Sequence, residues 1–165
     1  MIGGFVPVVL HDPAQRDASL AAAERAAALM GGAGGHLFIT SMVTSFDWAP
    51  RLEIDAAAWD YAAAMLDEIE EIVAAHGMSQ AIHPHLGTMI ERPSDVKNVL
   101  ERSQVGWTFD TGHLMIGGYD PVEFLADARD RIAHVHLKDV RLDRAAPVLR
   151  GCLLYTSDAA DEADG

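Results

Sequence analysis

Residues 105–137 contain two short apolar segments, VGWTFD (Val105–Asp110) and IAHVHL (Ile132–Leu137), separated by the segment DPVEFLADAR (Asp120–Arg129). A short apolar run of this kind, bounded by polar residues, is typical of a buried strand. Asp120 followed by proline is a common helix start, so the middle segment predicts a helix that ends near Arg129. Two neighbouring strands joined through a helix run parallel, because each begins at the same end of the sheet.

The same alternation of strand and helix extends towards the amino terminus. Further strands are predicted at Gly4–Leu10, His36–Met42 and Gln80–Leu86, and further helices at Ser19–Met30, Asp55–His76 and Pro93–Arg102. No glycine-rich phosphate loop follows any of these strands, which argues against a dinucleotide-binding sheet. A complete (β/α)8 barrel needs roughly 250 residues. We therefore expect an α/β fold, an incomplete (β/α)8 TIM barrel with about five parallel strands and crossover helices.

The last fifteen residues differ from the rest in composition. Residues 151–165, GCLLYTSDAADEADG, contain four acidic residues and no basic one. The run from Cys152 to Glu162 resembles the translation of a sequencing adapter, and such segments are kept out of fold reasoning. We therefore expect a partial TIM-barrel domain over residues 1–150 and a non-native tail over residues 151–165. On this interpretation the natural protein continues beyond Arg150, and Met1 is not its true start.

Composition and charge restrict the function classes. The formal net charge of −13 argues against a nucleic-acid partner, because such a surface repels phosphate backbones. There is one cysteine, so no internal disulfide can form. The sequence contains neither a charge-free apolar run of about 18 residues nor a basic leader, so we expect a cytoplasmic protein without a membrane partner.

Histidine and aspartate residues gather where three of the predicted strands end. His83 and His85 alternate with a proline, Asp110 ends an apolar strand, and His134 and His136 alternate with a valine. The carboxyl ends of parallel barrel strands converge on one rim, so these groups are expected to lie together. A carboxylate with imidazoles suits Mn²⁺, Co²⁺, Zn²⁺ or Fe²⁺.

Each of these patterns also has a purely structural interpretation. The His83 and His85 pair can equally be hydrogen-bonded core residues. Asp110 can cap the turn that follows it, although the nearby His113 favours a ligand role. Lys138 directly follows a strand and can reach back over the rim as a general acid, a base or a substrate clamp, or it can be a solvated loop lysine.

The segments HPHLGT (83–88), DTGH (110–113) and HVHLKDV (134–140) occur in the order seen in a known group of enzymes. In these segments the chain resembles the xylose isomerase-like barrel superfamily, and within it the inosose dehydratases. The likeness is clear over about residues 77–141 and weaker before them. It implies a divalent metal, with Mn²⁺ or Co²⁺ preferred and Zn²⁺, Fe²⁺ or Mg²⁺ as alternatives.

The resemblance also implies roles for single residues. Asp110 and His136 would bind the metal, and either His83 or His85, with His85 preferred as nearer the rim, would stand where relatives have a glutamate. His113 and Lys138 would contact substrate or transfer protons. Further candidates for these roles are His83, Glu91 and His134. The family also has a glutamate ligand on a strand near the carboxyl end of the barrel, and no residue in this sequence matches it.

The activity implied is dehydration of an inosose or a similar polyhydroxy ketone through an enediolate that the metal stabilises. The small polyhydroxylated substrate is the expected partner, and whether the parent enzyme is a homo-oligomer stays open. A sugar isomerase or epimerase of the same fold is the alternative. The acidic surface opposes a third relative, the metal-dependent DNA-repair endonucleases. Because a ligand is missing, we expect this chain by itself to be an inactive, non-catalytic fragment.

Overall fold

The computed structural model describes residues 3–149, in which five strands alternate with helices. The strands are β1 (Gly3–Val8), β2 (Leu37–Met42), β3 (Ser79–Ile82), β4 (Gly106–Asp110) and β5 (Ile132–His136). The helices are α1 (Arg16–Gly32), α2 (Ala56–Ala75), α3 (Pro93–Arg102), α4 (Thr111–Gly117), α5 (Pro121–Ala128) and α6 (Leu142–Leu149). Short 3-10 turns precede α1 and follow α5.

All four strand pairings are parallel, and the strands lie in the sheet in chain order, β1-β2-β3-β4-β5. At least one helix separates each strand from the next, which brings the chain back to the same end of the sheet. This arrangement confirms the predicted class of parallel strands with crossover helices. The carboxyl ends of the strands therefore meet at one rim.

The two faces of the sheet have different environments. The outer face packs on the helices and forms the main core, which includes Val8, Phe38, Ile82 and Trp107 from the strands and Leu66 and Ile69 from α2. The inner face carries a smaller apolar cluster of Leu37, Ile39 and Ala81. Because strand side chains alternate between faces, Asp110 and His136 point to the inner side with Thr108 and His134.

Local signals place the helix boundaries. The Asp55 side chain accepts a hydrogen bond of 2.9 Å from the amide of Ala58, so Asp55 caps α2 as predicted. Gly77 follows α2 with a φ of 74°, a left-handed conformation that glycine adopts without strain. The range Pro93–Arg102 predicted for α3 is the range observed.

The structure corrects the prediction after the third strand. β3 ends at Ile82, whereas the sequence predicted a strand to Leu86. Pro84 has no amide to donate, and the chain turns so that the His85 amide bonds to the Ile90 carbonyl at 3.0 Å. His83 and His85 therefore lie in the loop after β3. The helices α4 and α6 were not predicted.

The proposed tail, residues 151–165, lies outside the described residues, and its non-native origin stays a prediction. Within residues 3–149, no helix combines the length and the apolar character needed to cross a membrane.

Candidate metal centre

A buried carboxylate, Asp110, organises the rim. It ends β4 and is 0% exposed. Its Oδ1 accepts a 2.9 Å hydrogen bond from the amide of His113 and so caps α4. Its Oδ2 lies 3.2 Å from Nε2 of His83, 3.1 Å from Nδ1 of His136 and 3.1 Å from Nζ of Lys138. The cap and the ligand interpretations of Asp110 are therefore compatible, because each uses a different oxygen.

These contacts fix the charge of the carboxylate. Burial by itself would raise the pKa of Asp110, but hydrogen bonds from His136, His83 and the His113 amide outweigh it and hold the pKa far below its usual range. Asp110 is therefore an anion at any physiological pH, surrounded by nitrogen atoms and one ammonium group.

His113 and His85 lie against each other beside this carboxylate. Their ring centroids are 3.8 Å apart. Burial lowers the pKa of His85 to about 4, and burial together with the neighbouring His85 lowers that of His113 to about 2. Both imidazoles are therefore neutral at neutral pH, which is the form that binds a metal.

Hydrogen bonds at Nδ1 orient these two rings differently. Nδ1 of His113 accepts the amide of Leu86 at 3.3 Å, so the proton of His113 sits on Nε2. Nδ1 of His85 lies 2.7 Å from the carbonyl of Leu86 and donates to it, which leaves Nε2 of His85 unprotonated. The loop after β3 and the start of α4 are thus joined through one backbone residue.

A compact set of three residues has the geometry of a metal site. His83, Asp110 and His113 are all buried, and one ligand atom from each lies within 4.8 Å of the others. His136 is not in this set, but its Nδ1 contacts Asp110 and its side chain is 33% exposed. Among the described residues, His85 is outside the compact set, although its ring centroid is 5.4 Å from that of His83.

Lys138 reaches the centre from the loop after β5. Its side chain is 38% exposed, and its backbone is tied to Thr111 by hydrogen bonds of 2.7 and 2.8 Å in both directions. A Cβ on Gly112 would lie 2.8 Å from Cβ of Lys138, so only glycine allows this approach. The lysine is therefore held over the rim and is not a freely solvated loop residue.

The remaining candidates lie further from the carboxylate. Glu91 accepts the amide of Gly87 at 2.8 Å and so closes the loop after β3. His134 is one inward-facing residue before His136 on β5, with ring centroids 4.9 Å apart. Burial lowers the pKa of His134.

Two aromatic residues that the sequence did not indicate line the site. Phe5 of β1 lies 5.9 Å from His83 and 5.6 Å from His85 between ring centroids. Trp48 stacks on Phe5 at 6.2 Å with an interplanar angle of 16°. Trp48 has a φ of 59°, which is strained for a side chain of this size. The continuous apolar run around Phe5 gave no sign that this ring faces the centre.

Comparison with known proteins identifies the family. A profile described as xylose isomerase-like TIM barrel matches residues 3–157. The inosose dehydratase of Geobacillus kaustophilus (strain HTA426) is 32% identical over 145 residues, which is 74% of this chain and 47% of that protein. Two solved structures share the fold. The IolI protein with a binding zinc atom has a TM-score of 0.68 at 14% identity, over 85% of this chain and 51% of that one. The 3-keto-D-glucoside 4-epimerase YcjR of E. coli has a TM-score of 0.61 at 18% identity, over 89% and 64%.

The chain thus spans about half the length of the inosose dehydratase and of the IolI protein. The family profile, in contrast, matches nearly the whole chain, including every strand and the Asp110 rim. The fold expected from the resemblance and the fold observed are the same. This chain belongs to the xylose isomerase-like TIM barrel family.

Proposed function

We propose that this chain is part of a divalent-metal-dependent lyase that removes water from an inosose or a similar polyhydroxy ketone. The observation that carries the proposal is the single buried carboxylate oxygen of Asp110, on which two imidazoles and an ammonium group converge. The similarity to inosose dehydratases supports the substrate class.

The donor set fits a divalent ion. We assign the ion to Asp110, His83 and His136, because Nε2 of His83 and Nδ1 of His136 both face Oδ2. His113 of the compact set and His85, the ligand preferred from the sequence, are left out because Nδ1 of each ring is engaged by the Leu86 backbone. Carboxylate and imidazole donors suit Mn²⁺ or Co²⁺ first, with Zn²⁺, Fe²⁺ and Mg²⁺ as alternatives. The ammonium of Lys138 at 3.1 Å from the same oxygen indicates that this position favours positive charge. A bound ion there would stabilise negative charge on a substrate carbonyl oxygen.

The protein groups around this position can move protons. His113 is neutral and carries its proton on Nε2, so it can donate a hydrogen bond to a substrate oxygen on which negative charge develops. Lys138 approaches from the solvent side, where it can clamp a substrate hydroxyl or exchange a proton with water. Phe5 and Trp48 offer an apolar wall for the carbon face of a ring.

A sugar isomerase or epimerase is the second candidate. Removal of a proton beside a carbonyl begins dehydration, epimerisation and isomerisation alike. Epimerisation needs a donor that returns the proton to the opposite face of the same carbon, and isomerisation needs one that returns it to the neighbouring carbon. The Lys138 ammonium lies 3.1 Å from Asp110 and its side chain is 38% exposed, so it can take up a proton from water and return it to carbon, which is the observation that supports the second candidate.

The test has two parts. Reading the source DNA across codon 150 supplies the full reading frame, and the encoded protein is assayed with inosose by proton NMR in the presence of Mn²⁺ or Co²⁺. Loss of water supports the dehydratase, whereas a stereoisomer or an aldose–ketose pair as product supports the second candidate. No turnover of any polyhydroxy ketone refutes both. For the 165-residue chain itself we expect metal binding with little or no turnover.

A further inference from the structure

The inner face carries a row of three buried polar side chains just below the Asp110 rim. These are Ser41 of β2, His83 after β3 and Thr108 of β4, which are 0%, 4% and 0% exposed. Oγ of Ser41, Nδ1 of His83 and Oγ1 of Thr108 have no hydrogen-bond partner among residues 3–149. We call these three residues the inner row.

The register of the sheet brings the three side chains together. Thr40 pairs with Ile82, and Ile82 pairs with Trp107. One residue further along, Ser41, His83 and Thr108 follow one another across three neighbouring strands. The His83 amide continues the ladder with a 2.8 Å bond to the Thr40 carbonyl. Residues paired in this way point to the same face of the sheet.

Three unpartnered polar atoms in one buried place are energetically costly. Each would lose about 1–3 kcal/mol of hydration with nothing in return. Neighbouring strands are about 4.8 Å apart, so Ser41 and Thr108 flank His83 at about that distance on either side, and buried water can fill the space between each hydroxyl and Nδ1 of His83. A buried water typically has two to four polar partners, and the inner row offers three.

We propose that Ser41 and Thr108 bind buried water on either side of His83, and that this water holds Nδ1 and so positions the His83 ring for the metal. Nε2 of His83 is the nitrogen that faces Asp110, so Nδ1 is left for an outer partner. A histidine that binds a metal through one nitrogen normally needs a partner at the other. Water and hydroxyl groups both donate and accept, so they satisfy Nδ1 whether or not it carries the proton. Ser41 and Thr108 are thus positioning residues, and their link to the metal rests on the proposed function.

The test compares Ser41→Ala and Thr108→Val with the wild-type chain by two measurements. The first is the nitrogen-15 resonance of Nδ1 in His83, recorded on the metal-free protein. The second is Co²⁺ affinity by titration calorimetry. We expect both variants to shift the resonance and to weaken Co²⁺ binding by about 10- to 100-fold. Thr108→Ser, which keeps the hydroxyl, should restore both values.

Ser19→Ala is the matched control. The Ser19 hydroxyl is also 0% exposed, but it bonds to the backbone of Val9 at 2.8 and 3.2 Å. Its loss should lower stability and leave the His83 resonance unmoved. The inference is overturned if the resonance is unmoved in Ser41→Ala and Thr108→Val, or if Thr108→Val merely raises stability, as expected for removal of an unsatisfied hydroxyl. Wild-type protein that binds no Co²⁺ would refute the proposed metal site, while the metal-free resonance still decides the inference.

Discussion

Asp110 uses its two carboxylate oxygens for different purposes, and this division explains why one residue matters to both fold and site. Oδ1 caps α4, and Oδ2 faces His83, His136 and Lys138. An asparagine of nearly the same shape can keep the cap through its carbonyl oxygen, but it has no negative charge to attract an ion or the Lys138 ammonium. The two roles can therefore be separated by mutation.

Asp110→Asn should abolish metal binding and leave α4 in place. We expect Co²⁺ affinity to fall by more than the roughly 10- to 100-fold that outer partners of a ligand cost. Titration calorimetry measures the affinity, and circular dichroism follows the helix content. Asp143→Asn is the control, because the Asp143 side chain is 63% exposed and pairs with Arg141. Unchanged affinity in Asp110→Asn would contradict the assignment of the centre.

Stability of the metal-free chain should decrease as the pH falls below about 6.5. The pKa of His85 is about 4 and that of His113 about 2 in the folded protein, against an ordinary value of 6.5. As the pH falls below 6.5, these two histidines therefore take up protons in the unfolded chain while they stay neutral in the folded chain. Each histidine costs up to about 1.4 kcal/mol of unfolding free energy per pH unit between 6.5 and its folded pKa, about 4 for His85 and about 2 for His113, and nothing above 6.5.

Urea unfolding at about pH 7.5 and about pH 5 measures this dependence. His113→Asn should reduce the loss between the two values, whereas replacement of the exposed His36 should not change it. A chain equally stable at both pH values would show that the two imidazoles are not kept neutral by burial.

At the scale of elements, the loop after β3 and the helix α4 are packed backbone against backbone. A Cβ on Gly117 would lie 2.1 Å from the carbonyl oxygen of Glu91. No side chain can move to relieve such a contact, because the obstacle is main chain. The position of α4, which carries His113, is thus fixed by the loop that carries His83.

Gly117→Ala should destabilise the fold by about 2 kcal/mol, a typical cost of overpacking. It should also weaken metal binding, because the loop and α4 are pushed apart. Gly32→Ala is the control, since that position has nothing within 4 Å of an added Cβ, and alanine is the better helix former. Urea unfolding compares the two variants, and equal stabilities would contradict the close packing described.

A buried ion pair joins the loop after β2 to the start of α3. Nη2 of Arg51 lies 2.6 Å from Oδ1 of Asp95, with side chains 11% and 4% exposed. Removing one partner of a buried pair leaves an uncompensated charge, so Arg51→Ala should cost about 3 kcal/mol in urea unfolding. Arg92→Ala breaks only the exposed contact to Glu53 and should cost no more than about 1 kcal/mol. Similar losses in the two variants would mean that burial of the pair has no effect.

The elements that the sequence predicted correctly are those with strong local signals. α3 starts at a proline and α2 at a capping aspartate, and both were predicted at these residues. β3 was predicted too long, because an apolar run alone does not reveal where the ladder stops. α4 has seven residues and two glycines, so it forms only because Asp110 caps it and Leu114 is buried.

In the candidate site, too, residues with a local sequence signal were predicted, and residues that depend on tertiary structure were not. Spacing alone placed His83, Asp110, His136 and Lys138 at strand ends, and the structure brings them together. Ser41 and Thr108 could not be found in this way, because their proximity to His83 depends on the register between strands that are distant in sequence. The position of the Trp48 ring depends on the positive φ of this residue, which no pattern in the sequence reveals.

At the scale of the whole molecule, the sheet is open among the described residues, with β1 at one edge and β5 at the other. Val135 of β5 is 47% exposed, and Leu137 just after the strand is 79% exposed. An unpaired strand edge next to apolar side chains is a template for pairing with another chain. We therefore expect the 165-residue chain to self-associate.

Analytical ultracentrifugation should show a sedimentation coefficient that increases with protein concentration. Val135→Lys should reduce the effect, because charged residues on an edge strand oppose pairing. Leu29→Lys replaces an equally apolar residue of α1, 76% exposed, and should leave the association unchanged. A monomer at every concentration would contradict the role given to the β5 edge.

The order of the strands has a consequence for synthesis on the ribosome. Each strand lies beside the one made just before it, so every new strand–helix unit can dock on a partner that is already complete. Contacts between sequence neighbours form quickly, and among the five described strands each pairs with the strand made just before it. The nascent chain would thus acquire its helix-covered core early. Asp110 ends β4 and His136 ends β5, so the proposed ion site would be complete only when the fifth strand joins.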